Sequence, residues 1–170
     1  ARLLIGILAT TPNIELRIKG DHSLNKRNMK KLIFLMSKFG ATFLPRNKYN
    51  FPLKIISSDM PVGINYTAEV SAQLKSAVIL AGLNSYGKTK ISESYKSRNH
   101  TENMLRNNFK AIKIKEGKTN FIEIFGKSDL KKININIPAD PSSAAFYTAL
   151  TLLNTNSSIK MKNVCLNKTR

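Results

Sequence analysis

The sequence predicts an α/β fold built from repeated helix–strand–helix–strand–strand units, with buried helices inside and sheets outside. Three observations support this class. The first helix of each unit is apolar around most of its circumference, and the strands alternate lysine with apolar residues. The third observation is the repeat itself: Arg27, Arg98 and Arg170 each follow a predicted strand and lie 71 and then 72 positions apart. A repeat of this length suggests a pseudo-symmetric closed α/β body.

The elements of the first unit follow from hydrophobic periodicity. "ARLLIGILAT" predicts an apolar helix, and "IELRIKG" alternates as a strand does. "NKRNMKKLIFLMSKFG" predicts an amphipathic helix that ends at Gly40, because glycine is the usual residue just after a helix. Three strand segments complete the unit, the first two as a pair: "ATFLPR", "FPLKIIS" and "GINYTAEV".

The second and third units repeat this order. A helix is predicted from Ser71 to about Ser85, followed by the strand "KTKISES" and the helix "HTENMLRNNF". The strand pair "AIKIKEG" and "NFIEIFG" closes the second unit. The third unit begins with the helix "DPSSAAFYTALTLL", and "SIKMKNV" behind it predicts a strand.

Polarity predicts which faces of these elements are buried. "LLIGILA", "AVILAGL" and "AAFYTALTLL" are apolar on nearly every side, so we expect protein all around these helices. Lys75 precedes the second of these runs, and its stem is expected to carry the amino group out to water. Lysines alternate along three strands, which predicts that one face of each sheet meets water: Lys88 and Lys90, Lys113 and Lys115, Lys160 and Lys162.

Length and composition bound the class of protein. With 170 residues and 42% apolar side chains, the chain is able to bury a substantial core. The single cysteine, Cys165, cannot form an internal disulfide, which is typical of a reducing compartment and predicts a cytoplasmic protein. No apolar run approaches the roughly 20 residues of a membrane helix. Because the chain opens on Ala1 inside a predicted helix, we interpret it as a piece of a longer protein.

The net charge of +18 indicates an anionic partner. A basic surface binds nucleic-acid phosphates or attracts small anionic substrates. The lysines are scattered, and no strand combines aromatic and basic residues in the manner of RNA-recognition domains. This favours small anions and predicts no nucleic acid, while a basic nucleic-acid-binding module remains the alternative from another functional class.

Hydrogen-bonding side chains cluster where two helices are predicted to begin. Ser71 and Gln73 open one helix, and Ser97 and Arg98 precede another. Unpaired N–H groups and the helix dipole favour an anion at such ends, and a serine hydroxyl with an arginine fork completes a phosphate or carboxylate site. Capping is the simpler interpretation for any one serine, and Asp140 is most simply an N-cap. The pairing of each serine with Gln or Arg favours a ligand.

Several of these segments, in this order, resemble the 5-enolpyruvylshikimate-3-phosphate synthase family of 3-phosphoshikimate 1-carboxyvinyltransferases. The resemblance is carried by "GDHSLNKRNM", "SAQLKSAVILAGL", "KSRNHTENML", "PADPSSAAF" and "NKTR", and it covers essentially the whole chain. The sister transferase that acts on UDP-N-acetylglucosamine is the alternative within the same fold, but it lacks the "SAQ" signature.

The resemblance implies an inside-out α/β barrel of the enolpyruvyl transferase type and a reaction that needs no metal or organic cofactor. It implies transfer of the enolpyruvyl group of phosphoenolpyruvate to the 5-hydroxyl of shikimate 3-phosphate, with release of phosphate. The implied shikimate 3-phosphate ligands are Ser71, Ala72, Gln73, Ser97 and Arg98. The implied phosphoenolpyruvate ligands are Arg27 and Gln73. The catalytic residues are expected outside this chain, so we expect the chain alone to be inactive.

The family also implies a division of the chain and a monomeric parent enzyme without a membrane partner. Residues 1–137 are expected to form part of the first domain, without its first repeat, and residues 138–170 the start of the second. The chain departs from the family pattern at Asn28, Asn99 and Ala139, which stand in place of proline, aspartate and glycine. Of these, Asn28 is expected to loosen the loop that carries Arg27.

Overall fold

The computed structural model describes residues 1–169, which divide into two compact units at residues 131/132. The first unit contains five helices and seven strands in its described residues. Its helices are α1 Arg2–Thr10, α2 His22–Asn25, α3 Lys30–Lys38, α4 Ala72–Asn84 and α5 His100–Leu105, the second being a single turn. Its strands are β1 Glu15–Ile18, β2 Thr42–Leu44, β3 Leu53–Ile56, β4 Asn65–Ala68, β5 Lys88–Glu93, β6 Ile112–Lys115 and β7 Asn120–Phe125.

The strands form two separate sheets. The smaller is antiparallel in the order β1-β3-β2, and the larger has the order β4-β5-β7-β6 with β4 and β5 parallel. Alternation decides the faces of the larger sheet: Lys90 and Lys113 are exposed, while Ile91 and Ile122 are buried. The predicted lysine-bearing outer face is therefore confirmed for β5 and β6. Glu123 lies between Lys90 and Lys113 in the strand register, which offsets their repulsion.

Helix α4 is the centre of the first unit. It packs against α1, α3, β5 and β7, and its side chains are buried on every side, as its apolar circumference predicts. Gly6 of α1 faces Ala77 of α4 so closely that a methyl group on Gly6 would overlap the Ala77 carbonyl oxygen. The predicted arrangement of a buried helix with sheet outside it is therefore confirmed for α4. Within residues 1–169 the two sheets are open, and no closed barrel is formed.

Two helices of the first unit differ from their predictions. Helix α1 is buried along one stripe only, since Leu4 is 57% exposed and Leu3 and Ile7 also reach the surface. The amphipathic helix predicted from Asn25 begins at Lys30 instead. The Met29 N–H donates to the Tyr49 carbonyl oxygen at 2.7 Å. Because this N–H bonds to a loop, it is not available to a carbonyl oxygen of a preceding helical turn. Its predicted end is confirmed, because Gly40 has a φ of 101°.

The second unit, from residue 132 onward, contains one helix, α6 Pro141–Leu152, in its described residues. The expectation that protein surrounds this helix is wrong for the described residues, because none of its side chains is buried and Phe146 is 79% exposed. Asp140 caps this helix through its side chain, as predicted, by accepting from the Ser142 N–H. The strand predicted at residues 158–164 is not formed. A strand needs a partner to satisfy its backbone groups, and here Ala139 and Val164 make only an isolated bridge. The predicted domain boundary at 137/138 stays a prediction beside the division at 131/132.

Candidate anion-binding site

The amino end of α4 presents three of the residues singled out in the sequence. Ser71 is the N-cap residue, and its hydroxyl accepts from the Leu74 N–H at 3.4 Å, so the capping interpretation is correct for this serine. Ala72 and Gln73 follow in the first turn, with the Gln73 side chain exposed. The N–H groups at the start of a helix have no intrahelical acceptor and carry the positive end of the dipole, so this end can also receive an anion.

Arg98 joins this helix end from a different part of the chain. Ser71, Ala72, Gln73 and Arg98 line one cavity of about 540 Å³, together with Glu69 and Val70. Arg98 and the helix end therefore border the same space, and their combination suits a phosphate or carboxylate group. Glu69 brings a negative charge to the wall, but its carboxylate is paired with the Lys31 ammonium.

A residue that the sequence analysis passed over lies beside Gln73. The guanidinium of Arg2 donates to the Gln73 side-chain oxygen. The contact follows from the close packing of α1 on α4. It also orients the amide, because an occupied oxygen leaves the Gln73 NH₂ group as the free donor. The sequence does contain one indication of a role for Arg2, since it is the only charged residue of the apolar helix α1.

Ser97 and Arg27 occupy different surroundings. Ser97 is 8% exposed, and its N–H and hydroxyl both donate to the Glu93 Oε1, at 2.9 and 2.7 Å. Its predicted contact with phosphate stays a prediction and requires the hydroxyl to change partner. Arg27 is exposed in the turn between α2 and α3 and does not line the 540 Å³ cavity. Its neighbour Asn28 lines a second cavity of about 400 Å³, which shares Glu69 and Ser71 with the first.

The turn that carries Arg27 is held by local hydrogen bonds. The Arg27 N–H donates to the Leu24 carbonyl oxygen, and the Lys30 N–H donates to the Asn28 Oδ1 at 2.8 Å. Asn28 therefore supplies an acceptor at the start of α3 that a proline could not supply. The expectation that Asn28 loosens this turn is not supported by these contacts.

Next to Arg98 in the chain, Ser97 belongs to a buried polar cluster that we call the Lys75 cluster, consisting of Lys75, Glu93, Ser97 and Glu102. Lys75 is fully buried, and its ammonium lies 2.8 Å from the Glu93 Oε1 and 2.6 Å from the Glu102 Oε1. The expectation that Lys75 reaches water is therefore wrong. The two carboxylates hold it inside, because an ammonium that is paired within the protein no longer needs water.

The Lys75 cluster sets the ionisation of Glu93. Burial acts to raise the pKa of this carboxyl, but hydrogen bonds from Lys75 and Ser97 stabilise the charged form more strongly, so its pKa lies below the ordinary value. Glu93 is consequently ionised at neutral pH, and the ion pair with Lys75 is intact there.

A pH dependence of stability follows. Because the pKa of Glu93 is lowered on folding, its contribution is complete above the unfolded pKa of about 4.3 and is lost as the pH falls through the lower folded pKa. Between pH 6 and pH 3 the free energy of unfolding of Glu93→Gln should decrease less than that of the wild type, and the difference should correspond to about one titrating carboxyl group. Urea titrations across this pH range measure both decreases. Glu116→Gln is the control for removing one carboxylate, since Glu116 pairs with Arg106 at the surface, where an ion pair contributes little to stability. Parallel curves for the wild type and Glu93→Gln would refute the assignment.

Comparison with known proteins decides the family. The family model of EPSP synthase (3-phosphoshikimate 1-carboxyvinyltransferase) matches residues 1–170. The chain belongs to the EPSP synthase family. The 3-phosphoshikimate 1-carboxyvinyltransferase of Paramagnetospirillum magneticum is 40% identical to it over 100% of this chain and 39% of its own length, and that of Bacillus subtilis is 42% identical over 99% and 39%.

Solved structures agree with this family. EPSP synthase from Acinetobacter baumannii superimposes with a TM-score of 0.79 at 34% identity, over 99% of this chain and 38% of its own. The enolpyruvyl transferase NikO from Streptomyces tendae gives 0.54 at 17% identity over 82% of this chain and 31% of its own, which supports the fold alone. The chain thus spans well under half the length of the relatives it matches. The enolpyruvyl transferase fold class predicted from the sequence is confirmed, and so is the family resemblance.

Neither a metal site nor a membrane helix is found in the described part of the chain. Among residues 1–169, no group of three or more His, Cys, Asp or Glu side chains is arranged to hold a metal ion. No helix in the same range combines the length and the apolar character needed to cross a lipid bilayer. Arg170, the third arginine of the repeat, lies outside the described residues.

Proposed function

We propose that this chain supplies part of the substrate site of a 3-phosphoshikimate 1-carboxyvinyltransferase, and that the 540 Å³ cavity receives the phosphate of shikimate 3-phosphate. The observation that carries the proposal is the convergence of Arg98 with Ser71, Ala72 and Gln73 on that cavity. A doubly charged phosphate suits this combination of a guanidinium fork with helix N–H groups.

The remaining residues divide between the two substrates. The contact with Arg2 orients the side chain of Gln73, so its NH₂ group is available to donate to an oxygen of shikimate 3-phosphate or of phosphoenolpyruvate. Arg27 is exposed and free to reach phosphoenolpyruvate from the side of the second cavity, whose wall includes its neighbour Asn28. The net charge of +18 attracts both anions over a longer range.

In the proposed reaction the 5-hydroxyl oxygen of shikimate 3-phosphate adds to C2 of phosphoenolpyruvate while the C2=C3 double bond takes up a proton at C3 and the hydroxyl proton is lost, which gives a tetrahedral intermediate. The bond from C2 to the phosphate oxygen then breaks, phosphate leaves with its electron pair, and loss of a proton from C3 restores the double bond. The residues of this chain bind and orient the two anions, and neutralising their mutual repulsion is the main electrostatic demand of such a site. The groups that move the proton are expected outside this chain, and no metal or organic cofactor is required.

Replacing Arg98 tests the phosphate site. Arg98→Ala should weaken binding of shikimate 3-phosphate to the chain, measured by isothermal titration calorimetry, by about 1.5–3 kcal/mol, because a hydrogen bond to a charged group is lost. Arg106→Ala is the matched control, since Arg106 is exposed on the same segment and pairs with Glu116. Equal affinities of the wild type and Arg98→Ala would reject the role of Arg98. Absence of binding to the wild type would reject the half-site itself.

We expect the proposed enzyme to be a cytoplasmic monomer. We expect it to bind neither nucleic acid nor membrane. The alternative, a basic nucleic-acid-binding module, predicts retention on heparin or RNA at physiological salt with no response to shikimate 3-phosphate. Measuring both on the same sample separates the two functions, because simple charge attraction weakens steeply as salt increases.

A further inference from the structure

The contacts of the Lys75 cluster connect the two chain segments that line the cavity, the start of α4 and the segment that carries Arg98. On one side stands the first turn of α4, which carries Ser71 and Gln73, and Lys75 follows in the same helix. On the other side Ser97 immediately precedes Arg98. Both sides meet at one atom, the Glu93 Oε1, which accepts from the Lys75 ammonium and from both polar hydrogens of Ser97.

We propose that Lys75 and Glu93 are positioning residues that hold Arg98 against the amino end of α4 in the geometry a phosphate requires. This inference rests on the proposed function of the cavity. The Ser97 N–H is hydrogen-bonded to Glu93, which fixes the backbone immediately before Arg98. The position of Arg98 therefore depends on this hydrogen bond. Because Lys75 binds the same oxygen atom, that anchor is tied to the helix end that forms the opposite wall.

A second connection runs parallel to the first. Lys75 also pairs with Glu102, and the hydroxyls of Ser76 and Thr101 are hydrogen-bonded at 2.7 Å in the interior. Consecutive residues of α4 therefore contact consecutive residues at the start of α5. The segment between Glu93 and Glu102, which contains Arg98, is held at both of its ends.

Stability alone does not account for this cluster. A buried ion pair generally stabilises a fold no more than apolar side chains of similar size do. The Glu102 Oε2 is also buried without a hydrogen-bond partner among the described residues, which is a destabilising feature. The charged groups here provide a defined geometry, because hydrogen bonds fix the distances and angles between their atoms whereas apolar contacts do not. A fixed guanidinium binds an anion with a smaller loss of side-chain entropy.

Two triple variants of the full chain separate positioning from charge and from folding. The apolar variant, Lys75→Met with Glu93→Leu and Glu102→Leu, removes the anchor of Ser97. The amide variant, Lys75→Met with Glu93→Gln and Glu102→Gln, removes the same charges but keeps an oxygen that can accept from Ser97. Neither variant leaves a buried charge unpaired, so both are expected to fold. Both variants remove the same one positive and two negative charges, so the comparison between them does not depend on net charge.

Affinity for shikimate 3-phosphate is measured by calorimetry, and hydrogen exchange of the Ser97 amide is measured by NMR without ligand. The apolar variant should bind about tenfold more weakly and lose protection at this amide, whereas the amide variant should recover most of the affinity and the protection. Unchanged affinity in the apolar variant overturns the inference, and so does equal weakening in both variants. If the wild type binds no shikimate 3-phosphate, the proposed function fails, and the exchange data alone decide whether Glu93 anchors this turn.

Discussion

Lys75→Met is expected to lower the free energy of unfolding by about 3–5 kcal/mol, because it leaves the carboxylates of Glu93 and Glu102 buried without their cation. Urea denaturation followed by circular dichroism at pH 7 measures the change. The apolar triple variant should be far more stable than this single variant, since it removes the unpaired charges together with the lysine.

Lys113→Met provides the comparison for the loss of a lysine at the surface. Lys113 is exposed on the outer sheet face, so its replacement should alter the unfolding free energy by no more than about 0.5 kcal/mol. A loss below about 1 kcal/mol for Lys75→Met would mean that the two carboxylates are satisfied without the ammonium, and the buried ion cluster would then be excluded.

Gly126→Ala is expected to lower the free energy of unfolding by about 3 kcal/mol, the upper part of the range for overpacked interior positions. Gly126 follows β7 and passes beneath the end of α4. A methyl group there would overlap the Ser85 carbonyl oxygen and lie 2.7 Å from that of Gly82. Both atoms belong to the backbone, so relief requires α4 and the sheet to separate. Thermal unfolding measures the effect.

Gly117→Ala is the matched control for this substitution. Gly117 lies in the turn between β6 and β7, and a methyl group there would meet nothing nearer than the Thr119 carbonyl oxygen at 3.4 Å. Its unfolding free energy should stay within about 0.5 kcal/mol of the wild type. If the two alanine variants are equally stable, the close passage of β7 beneath α4 is wrong.

Local periodicity predicted most of the elements of the first unit. The α4 helix, its cap at Ser71 and the lysine-bearing face of β5 all follow from residues near one another in the chain. Features that depend on distant partners were not predictable in the same way. The helix predicted from Asn25 is interrupted because the Met29 N–H finds the Tyr49 carbonyl oxygen, which lies beyond the helix and β2 in the chain. The strand predicted around Lys160 is absent because strand formation depends on a neighbour to pair with.

The candidate site shows the same limit. The family resemblance indicated Ser71, Ala72, Gln73 and Arg98, which the structure brings to one cavity. It did not indicate Arg2, whose contact with Gln73 depends on how α1 packs against α4. Lys75 was interpreted from its helix alone, but its surroundings are set by carboxylates from a strand and another helix. Pairing across elements is a tertiary property that propensity does not encode.

The narrow contact between Gly6 and Ala77 has a mechanical consequence. With no space for even one additional carbon atom between them, α1 and α4 are closely packed at this point, so any relative movement of the two helices there would have to displace their backbones. Arg2 and Gln73 lie at the amino ends of these two helices and are hydrogen-bonded to each other. We therefore expect the guanidinium and the amide to keep their relative position whenever this pair of helices moves.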